Sequence, residues 1–348
     1  MKHARLVLIG FGVVGQGFVR LLFEKQDLLK QRYDLDMTLV GVANARHGFI
    51  YREDGLDVQT LLELAAGRHP LTGYPDVVHW EKPLEGLRAI DADVLVEATP
   101  TNLRDAEPGM SHIRAALTRC MHVVTANKGP CALAAVELLE WARQHSVQMR
   151  MEATVMAGTP VLSTICEGMA GARVQSIRGI LNGTTNYILS AMAMGCDYAE
   201  ALADAHARGY AETDPTADVE GHDAVAKTLI LAALVFGRSL KPGEVARQGI
   251  TAITTEEVWH AMDQGKRIKL VASLRLVSGS EGREDFLEAR VEPIALPLSD
   301  PLAYVDGVMN AISVQADTLS EVTISGPGAG ARETGQGLLA DVIACVRG

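Results

Sequence analysis

Three glycines near the start of the chain constrain its fold more than any other feature of the sequence. Gly10, Gly12 and Gly15 follow an apolar stretch at residues 5–9 with the pattern of a buried strand, and a helical pattern begins at residue 13. In such a strand, turn and helix, the glycines allow a tight turn, close approach of a pyrophosphate to the backbone, and close helix packing. The motif predicts a Rossmann fold that binds a dinucleotide. The alternative is that the glycines only turn the chain.

The alternation of strand and helix patterns through the first 150 residues indicates the same fold class. Strands joined by crossover helices build a parallel sheet with helices on both faces. We therefore expect a doubly wound α/β domain. Its predicted strands are at residues 5–9, 37–43, 93–98 and 122–125, and its predicted helices are at residues 13–31, 58–66, 110–119 and 133–145.

After residue 151 the pattern changes to successive helices followed by strands, which predicts a second domain of the α+β class. The predicted strands are at residues 176–181, 268–277, 286–293, 307–316 and 322–325, the helices at residues 187–194, 198–208, 223–236, 255–264 and 335–347, and a polar hairpin-like turn at residues 278–285. We expect domains at residues 1–150 and 151–325. Residues 326–348 should form a terminal segment that returns to the first domain.

Length and charge exclude several classes of protein. At 348 residues the chain is long enough for two domains, and its net charge of −11 comes without a cluster of lysine and arginine. Binding to nucleic acid or to an anionic membrane surface needs such a cluster, so we expect neither partner. The five cysteines form no C-x-x-C pair, and no apolar run approaches the ~20 residues of a membrane span. These features predict a cytoplasmic protein.

The residues after the second predicted strand bear on the choice of cofactor. An acidic residue here would hydrogen-bond the ribose 2′-hydroxyl of NAD. Instead the strand leads to Asn44 and Arg46, with no carboxylate. A 2′-phosphate would meet no repulsion and can pair with the guanidinium, so the sequence favours NADP over NAD. The alternative is that Arg46 is an ordinary surface arginine.

An acidic segment in the second half of the chain leads to a lysine. Residues 197–223 contain one arginine and these acids: Asp197, Glu200, Asp204, Glu212, Asp214, Asp218, Glu220 and Asp223. Asp223 and Lys227 share a face of a predicted helix, so the carboxylate can orient the ammonium. Apolar neighbours indicate that Lys227 lies at a partly buried edge, where it can serve as a general acid or stabilise an alkoxide. By spacing alone, an exposed ion pair of ~0.3–0.5 kcal/mol explains the pattern as well.

Two further segments are dense in hydrogen-bonding groups. Residues 182–186 read NGTTN at a predicted helix start, where N-capping alone is a sufficient explanation. Residues 125–128 read TANK and follow a predicted parallel strand. The second segment therefore lies at the carboxyl edge of the sheet, where folds of this class bind ligands.

Together these segments resemble the homoserine dehydrogenase family. The matching stretches span nearly the whole chain: residues 10–15, 125–130 (TANKGP), 152–160 (EATVMAGTP), 182–189 (NGTTNYIL), 209–227 (GYAETDPTADVEGHDAVAK) and 326–330 (GPGAG). The resemblance implies NAD(P)H-dependent, reversible reduction of L-aspartate 4-semialdehyde to L-homoserine, in the biosynthesis of threonine, methionine and isoleucine. It also implies a homodimer formed through the sheet of the second domain, which would be both catalytic and dimerising.

The resemblance implies roles for particular residues. Lys227 would donate a proton to the aldehyde oxygen, and Lys128 would be a second catalytic lysine that contacts cofactor and substrate. The substrate would be bound by Glu212, Asp218, Asp223 and Lys128. The cofactor would be bound by Gly10, Phe11, Gly12, Val13, Val14, Gly15, Asn44, Arg46, Thr99, Lys128, Gly209, Glu212 and Gly328. A structural sodium ion would be held by oxygens of Glu152, Val155, Ala157 and Thr159, a donor set that suits a hard cation.

The chain departs from the family pattern in two respects. We expect neither an N-terminal kinase nor a C-terminal regulatory domain, and hence no feedback inhibition by threonine through such a domain. Met156 and Thr159 stand where small or aliphatic residues are expected in the cation loop, although backbone ligation tolerates both. Two other functions stay open: another two-domain NAD(P)-dependent dehydrogenase of an amino acid or semialdehyde, and a nucleotide-binding homologue without turnover. The presence of both lysines and the acids disfavours the latter.

Overall fold

The computed structural model describes residues 1–279 and 285–348. The turn predicted at residues 278–285 therefore lies mostly outside the described residues. The strands are β1 (Lys2–Ile9), β2 (Leu35–Asn44), β3 (Gly48–Tyr51), β4 (Val78–Trp80), β5 (Val94–Glu97), β6 (His122–Thr125), β7 (Met149–Arg150), β8 (Val174–Ile180), β9 (Ala246–Arg247), β10 (Lys266–Val277), β11 (Phe286–Pro297), β12 (Met309–Ala316) and β13 (Ser320–Pro327). The helices are α1 (Val13–Glu24), α2 (Gln26–Tyr33), α3 (Val58–Ala66), α4 (Pro83–Ala89), α5 (Gly109–Thr118), α6 (Lys128–Gln144), α7 (Gly183–Ala193), α8 (Tyr198–Ala207), α9 (Thr216–Val219), α10 (His222–Phe236), α11 (Thr255–Asp263) and α12 (Ala331–Arg347).

The described chain divides into two compact units. The first unit comprises Met1–Gly158 together with Gly330–Gly348, and the second comprises Thr159–Ala329. Helix α12 belongs to the first unit and packs against α1. A Cβ on Gly17 would lie only 2.2 Å from the carbonyl oxygen of Ala331, so glycine is required for this close approach.

The sheet of the first unit has the order β4-β3-β2-β1-β5-β6-β7. Five neighbouring strands of this sheet are parallel: β2, β1, β5, β6 and β7. At one edge, β3 pairs antiparallel with β2, and β4 pairs antiparallel with β3. All four residues of β5 are buried, as is typical of a parallel strand covered on both faces. The strand order reverses between β1 and β5, and the carboxyl ends of strands at such a reversal form the ligand-binding crevice of doubly wound folds. The predicted Rossmann class is confirmed.

The sheet of the second unit has the order β13-β12-β8-β10-β11-β9. Strands β13, β12, β8, β10 and β11 pair antiparallel, and β9 is parallel to β11. Helices α7 and α10 pack on one face of the sheet, where apolar side chains such as Leu181 and Leu231 meet. The opposite face carries polar residues, including Ser176, Arg178 and Arg275. This antiparallel sheet with helices on one face confirms the α+β expectation.

Most predicted elements are confirmed, and the differences have local causes. The helix predicted at residues 13–31 is two helices, because the chain leaves the helical conformation at Lys25, where φ is −104° and ψ is 5°. The helix predicted at residues 133–145 begins already at Lys128, because Asn127 caps it. Six short elements have no predicted counterpart, since such short segments show no clear hydrophobic period: strands β3, β4, β7 and β9 and helices α4 and α9.

The thiols and the helices bear on two other roles, nucleophilic catalysis and insertion into a membrane. None of the five cysteines forms a disulfide, and burial raises the pKa of the Cys345 thiol to about 12. Such a thiol is a poor nucleophile at neutral pH. Within residues 1–279 and 285–348, no helix is both long enough and apolar enough to cross a membrane.

Candidate functional site

The glycine loop between β1 and α1 has a different constraint at each glycine. Gly10 has φ +108°, and a Cβ there would lie 2.3 Å from the carbonyl carbon of Ala98. A Cβ on Gly15 would lie 2.2 Å from the carbonyl oxygen of Gly10, so the helix packs directly on the turn. Gly12 has open space on its Cβ side, with no described atom within 4 Å. Two glycines thus build the loop, and the third leaves room for a ligand.

The first turn of α1 is suited to binding an anion. Gly12 is the N-cap residue and provides no side-chain cap, and the first turn holds no acidic residue. The free amides and the helix dipole of such a terminus favour a phosphate group. Phe11 is buried, Val14 is half-buried, and Val13 is 74% exposed. Of the predicted residues in this loop, Val13 is therefore the one whose side chain is open to solvent.

The loop after β2 is shaped by Asn44. Its Oδ1 accepts hydrogen bonds from the backbone N–H groups of Arg46 at 2.8 Å and His47 at 3.0 Å. Its Nδ2 lies 3.3 Å from Nδ1 of His47. The side chain of Asn44 is therefore used within its own turn, whereas Arg46 is exposed. The turn presents a guanidinium to solvent without a carboxylate in the same segment.

The carboxyl ends of β5 and β6 are joined by side-chain hydrogen bonds. Nδ2 of Asn127 donates to Oγ1 of Thr99 at 3.0 Å, and Oδ1 of Asn127 accepts from the N–H of Gly129 at 3.0 Å. Asn127 therefore caps α6 and also holds the loop after β5. The half-buried Lys128 is the first residue of α6. The structure thus brings two predicted site residues, Thr99 and Lys128, to adjacent strand ends.

In the second unit, Lys227 is buried more deeply than the sequence predicts. Only 6% of the residue is exposed, so the exposed ion pair that its spacing also allowed is excluded. Its Nζ lies 2.9 Å from Oδ2 of Asp223 and donates to the carbonyl oxygen of Leu181 at 2.5 Å. The carbonyl belongs to the residue that follows β8, and the carboxylate comes from the first turn of α10. Two elements therefore fix the position of the ammonium.

Asn182 and Thr184 connect the acidic residues to the start of α7. Nδ2 of Asn182 donates to Oδ1 of Asp218 at 2.7 Å and to Oδ2 of Asp223 at 3.2 Å, while its Oδ1 caps α7 at Thr185. The hydroxyl of Thr184 lies 2.9 Å from Oδ2 of Asp218. For this segment the sequence indicates a helix start dense in hydrogen-bonding groups, with N-capping as a sufficient explanation. The linking role has no sequence signal beyond the density of hydrogen-bonding groups.

Three other predicted residues of the second unit lie at its surface. Glu212 and Gly209 are exposed, and Gly328 is half-buried. Among the described residues, no hydrogen bond or ion pair joins the carboxylate of Glu212 to Asp218, Asp223 or Lys227. Gly209 has φ +73°, a conformation that favours glycine. The structure therefore groups Asp218, Asp223 and Lys227, and leaves Glu212 outside that group.

The predicted cation loop is buried and rich in oxygen atoms. Glu152 is 5% exposed, Val155 is 1% exposed, and Ala157 is 3% exposed with φ +52°. The backbone N–H of Glu152 donates to Oδ2 of Asp341 at 2.8 Å, and burial raises the pKa of that carboxyl to about 7. Carboxylate and carbonyl oxygens are suitable donors for a hard cation. The donor chemistry fits a sodium ion, although the described residues contain no cluster of three or more His, Cys, Asp or Glu side chains.

The fold and these groups define a class of protein. A Rossmann unit with an uncapped glycine-loop helix binds a dinucleotide, and a buried lysine held by carboxylates in a second unit provides an acid or a positive charge. Together they are typical of a nicotinamide-dependent oxidoreductase.

Comparison with known proteins identifies the family. The profile described as "Homoserine dehydrogenase" matches residues 160–343, and that described as "Homoserine dehydrogenase, NAD binding domain" matches residues 10–152. The chain is 38% identical over 339 residues to a homoserine dehydrogenase of Methanocaldococcus jannaschii, with 97% of each chain covered. It is 39% identical over 344 residues to an NAD(+)-dependent homoserine dehydrogenase of Pseudomonas canavaninivorans, with 99% of this chain and 96% of that protein covered.

Solved structures give the same result. A putative homoserine dehydrogenase from Archaeoglobus fulgidus has a TM-score of 0.86 at 33% identity and covers 99% of this chain and 100% of its own. A hyperthermophilic archaeal homoserine dehydrogenase mutant in complex with NADPH has a TM-score of 0.83 at 27% identity, and it covers 99% of this chain and 98% of its own. The chain belongs to the homoserine dehydrogenase family. It is an NAD(P)-dependent oxidoreductase that interconverts L-homoserine and L-aspartate 4-semialdehyde, as the sequence predicts.

Proposed function

We propose that Lys227 is the proton donor to the aldehyde oxygen of L-aspartate 4-semialdehyde, and that it receives the proton in the reverse reaction. When bound, the nicotinamide cofactor supplies or accepts the hydride. Negative charge then develops on the substrate oxygen, and a buried ammonium stabilises that charge more strongly than an exposed one. The contacts with Asp223 and Leu181 carry this proposal, because they use two of the three N–H donors and leave the third for the substrate.

The acidic residues beside Lys227 are suited to the α-ammonium group of the amino-acid substrate. Asp218 and Asp223 are held together by the amide of Asn182, so two carboxylates are presented at a fixed position. Glu212 is exposed on the preceding segment, and we propose that it contacts substrate and cofactor when they bind. Gly209, beside it, lies at the cofactor edge in the same proposal.

In the first unit, we propose that Lys128 and Thr99 contact the nicotinamide half of the cofactor and that Lys128 also contacts the substrate. Their placement at the ends of β5 and β6 supports this, since ligands of doubly wound folds bind at the carboxyl ends of strands. The pyrophosphate would bind at Gly10, Phe11, Gly12, Val13, Val14 and Gly15. Gly328, in the second unit, would contact the cofactor through its backbone.

We propose NADP as the preferred cofactor, with NAD also accepted. The exposed guanidinium of Arg46, in a turn whose backbone is fixed by Asn44, can form charge-assisted hydrogen bonds to a 2′-phosphate. Relatives include an NAD(+)-dependent homoserine dehydrogenase and a homoserine dehydrogenase mutant in complex with NADPH, so both cofactors occur in the family.

We further propose a structural sodium ion at Glu152 and the backbone carbonyls of Val155, Ala157 and Thr159. Glu152 would supply a buried carboxylate and the other three residues would supply carbonyl oxygens, a donor set that suits a hard cation. The ion would take no part in hydride or proton transfer.

We also propose that the protein forms a homodimer and that the segments of its chain have different functions. The polar face of the second sheet, around Ser176 and Arg178, would pair with a second copy. Residues 1–150 would bind the cofactor, residues 151–325 would bind substrate and dimerise, and residues 326–348 would return to the first domain. The enzyme would act in the cytoplasm.

The deciding experiment is a spectrophotometric assay of homoserine oxidation with NADP and NAD in parallel. We expect turnover with both cofactors and a higher kcat/KM with NADP. If kcat/KM with NAD is equal to or higher than that with NADP, the cofactor preference is refuted. If the rate does not depend on the homoserine concentration, the assigned substrate is refuted. Light scattering of the purified protein would test the dimer.

A further inference from the structure

A completely buried carboxylate lies at the carboxyl end of β5. Glu97 is 0% exposed, and a carboxylate in such a place is unfavourable unless hydrogen-bond donors surround it. Its Oε1 accepts from the backbone N–H of Thr99 at 3.2 Å and from the Thr99 hydroxyl. Its Oε2 lies 3.4 Å from the hydroxyl of Thr125. The buried Nδ1 of His112 lies 3.6 Å from Oε1. The donors to Oε1 thus come from the loop after β5, while Thr125, the last residue of β6, also donates to the backbone carbonyl oxygen of Glu97 at 3.0 Å.

The direction of these hydrogen bonds links Glu97 to α6. The Thr99 hydroxyl has one proton, and because Glu97 accepts it, the same oxygen can only accept from Asn127. Nδ2 of Asn127 donates to it at 3.0 Å, which turns Oδ1 toward the N–H of Gly129. The carboxylate of Glu97 therefore determines the orientation of the amide that caps the helix beginning at Lys128.

The start of α5 leaves this network little freedom. A Cβ on Gly109 would lie 2.5 Å from Nδ2 of Asn127 and 3.3 Å from Oε2 of Glu97. The glycine backbone therefore packs directly against both side chains. With such packing, loss of a hydrogen bond cannot be offset by simple rotation of the amide.

We propose that Glu97 is a positioning residue for cofactor binding and catalysis. Its carboxylate orients Thr99 and, through Thr99, Asn127, so that Thr99 and Lys128 are held where the nicotinamide half of the cofactor binds. This inference rests on the proposed roles of Thr99 and Lys128. The role needs a hydrogen-bond acceptor at Oε1 and does not need the negative charge.

Two substitutions separate these requirements. Glu97→Gln keeps an acceptor toward Thr99, and its amide N–H₂ can donate to the Thr125 hydroxyl. Glu97→Leu removes both. We expect Glu97→Gln to keep kcat and the KM for NADP within about twofold of wild type, whereas Glu97→Leu lowers kcat about 10- to 100-fold, the scale of a misplaced catalytic group, and weakens NADPH binding. Initial rates of homoserine oxidation and NADPH fluorescence titration measure both quantities.

The control is Leu61→Ala, which removes a fully buried side chain of the same unit. It lowers stability without touching the network, so its kcat and KM should match wild type. If Glu97→Leu does not fold, Asn127→Asp replaces it: this variant keeps the oxygen that caps α6 but removes the Nδ2 donor to Thr99, and it should be impaired in the same way. Impairment of Glu97→Gln equal to that of Glu97→Leu would overturn the proposal, as would wild-type kinetics of either Glu97→Leu or Asn127→Asp.

Lys128→Met, measured in parallel, separates this inference from the proposed function. Wild-type kinetics of Lys128→Met would refute the role of that lysine. The effect of Glu97→Leu on NADPH affinity would still decide whether the carboxylate positions the loops.

Discussion

Each unit uses an asparagine cap to join a helix to a distant segment, but the two caps hold different groups. Asn127 caps α6 with its oxygen and donates its amide to a neutral hydroxyl, that of Thr99. Asn182 caps α7 with its oxygen and donates its amide to two carboxylates, those of Asp218 and Asp223. The same local device therefore positions a loop in the first unit and an ionic cluster in the second.

The difference agrees with the chemistry that each unit is proposed to perform. The first unit binds a cofactor through backbone groups and a helix terminus, and its buried carboxylate, Glu97, faces inward. The second unit presents a buried ammonium, Lys227, beside carboxylates. Substitutions of Gly12 and Arg46 in the first unit should therefore change cofactor affinity most, whereas substitution of Lys227 in the second should change kcat most.

The largest expected effect is that of Lys227→Met. The variant keeps the apolar stem but removes the ammonium, so kcat should fall about 100-fold or more, as loss of a general acid does, while the KM for NADP changes little. Steady-state kinetics of homoserine oxidation measure this. Lys241→Met, at an exposed position of the same unit, is the matched control and should keep wild-type rates. An unchanged kcat in the Lys227 variant would remove this residue from proton transfer.

Two alanine substitutions in the glycine loop should separate cofactor binding from stability. At Gly12 a methyl group fits the folded protein but occupies the space for a pyrophosphate, so the KM for NADP should rise about tenfold or more, ~1.4 kcal/mol of binding free energy. At Gly15 a methyl group would meet the carbonyl oxygen of Gly10, so the free energy of unfolding should fall by about 1–3 kcal/mol. Kinetics and urea unfolding distinguish the two. The reverse assignment would contradict the roles given to these glycines.

A smaller effect is expected from Arg46→Ala. Arg46 is exposed, and an exposed ion pair contributes about 0.2–1 kcal/mol, so loss of the contact with the 2′-phosphate should raise the KM for NADP about two- to fivefold and leave that for NAD unchanged. Parallel assays with both cofactors measure the ratio. Arg52→Ala, just after β3, offers a charge-matched control. Equal effects on both cofactors would refute the phosphate contact.

The smallest effect concerns stability in the second unit. Lys269 is 2% exposed, and burial lowers the pKa of its ammonium below the ordinary 10.5, although Asp306 at 2.9 Å opposes this. The unfolded chain then binds more protons between the two pKa values, so this residue makes stability rise as pH increases through that interval. Lys269→Met should flatten that rise in urea unfolding measured across alkaline pH. An equally steep rise in the variant would exclude Lys269 as its source.

Much of the fold could be predicted from the sequence because the signals are local. Strand β6 and helix α3 depend on hydrophobic period within single segments, and their bounds are as predicted. The break at Lys25 and the early start of α6 were not predicted, because each depends on one residue's conformation or cap. The homoserine dehydrogenase family was identified from motifs that are long and specific.

The sequence by itself determined the class of fold, the glycine loop and the pairing of Asp223 with Lys227, since spacing along one strand or helix decides each of these. Only the tertiary structure decided how deeply Lys227 is buried, that Asn182 joins Asp218 to Asp223, and that Glu97 orients the loops after β5 and β6. These features depend on groups that are far apart in the chain. Burial and hydrogen-bond direction arise only when packing brings such groups together, and no local pattern records them.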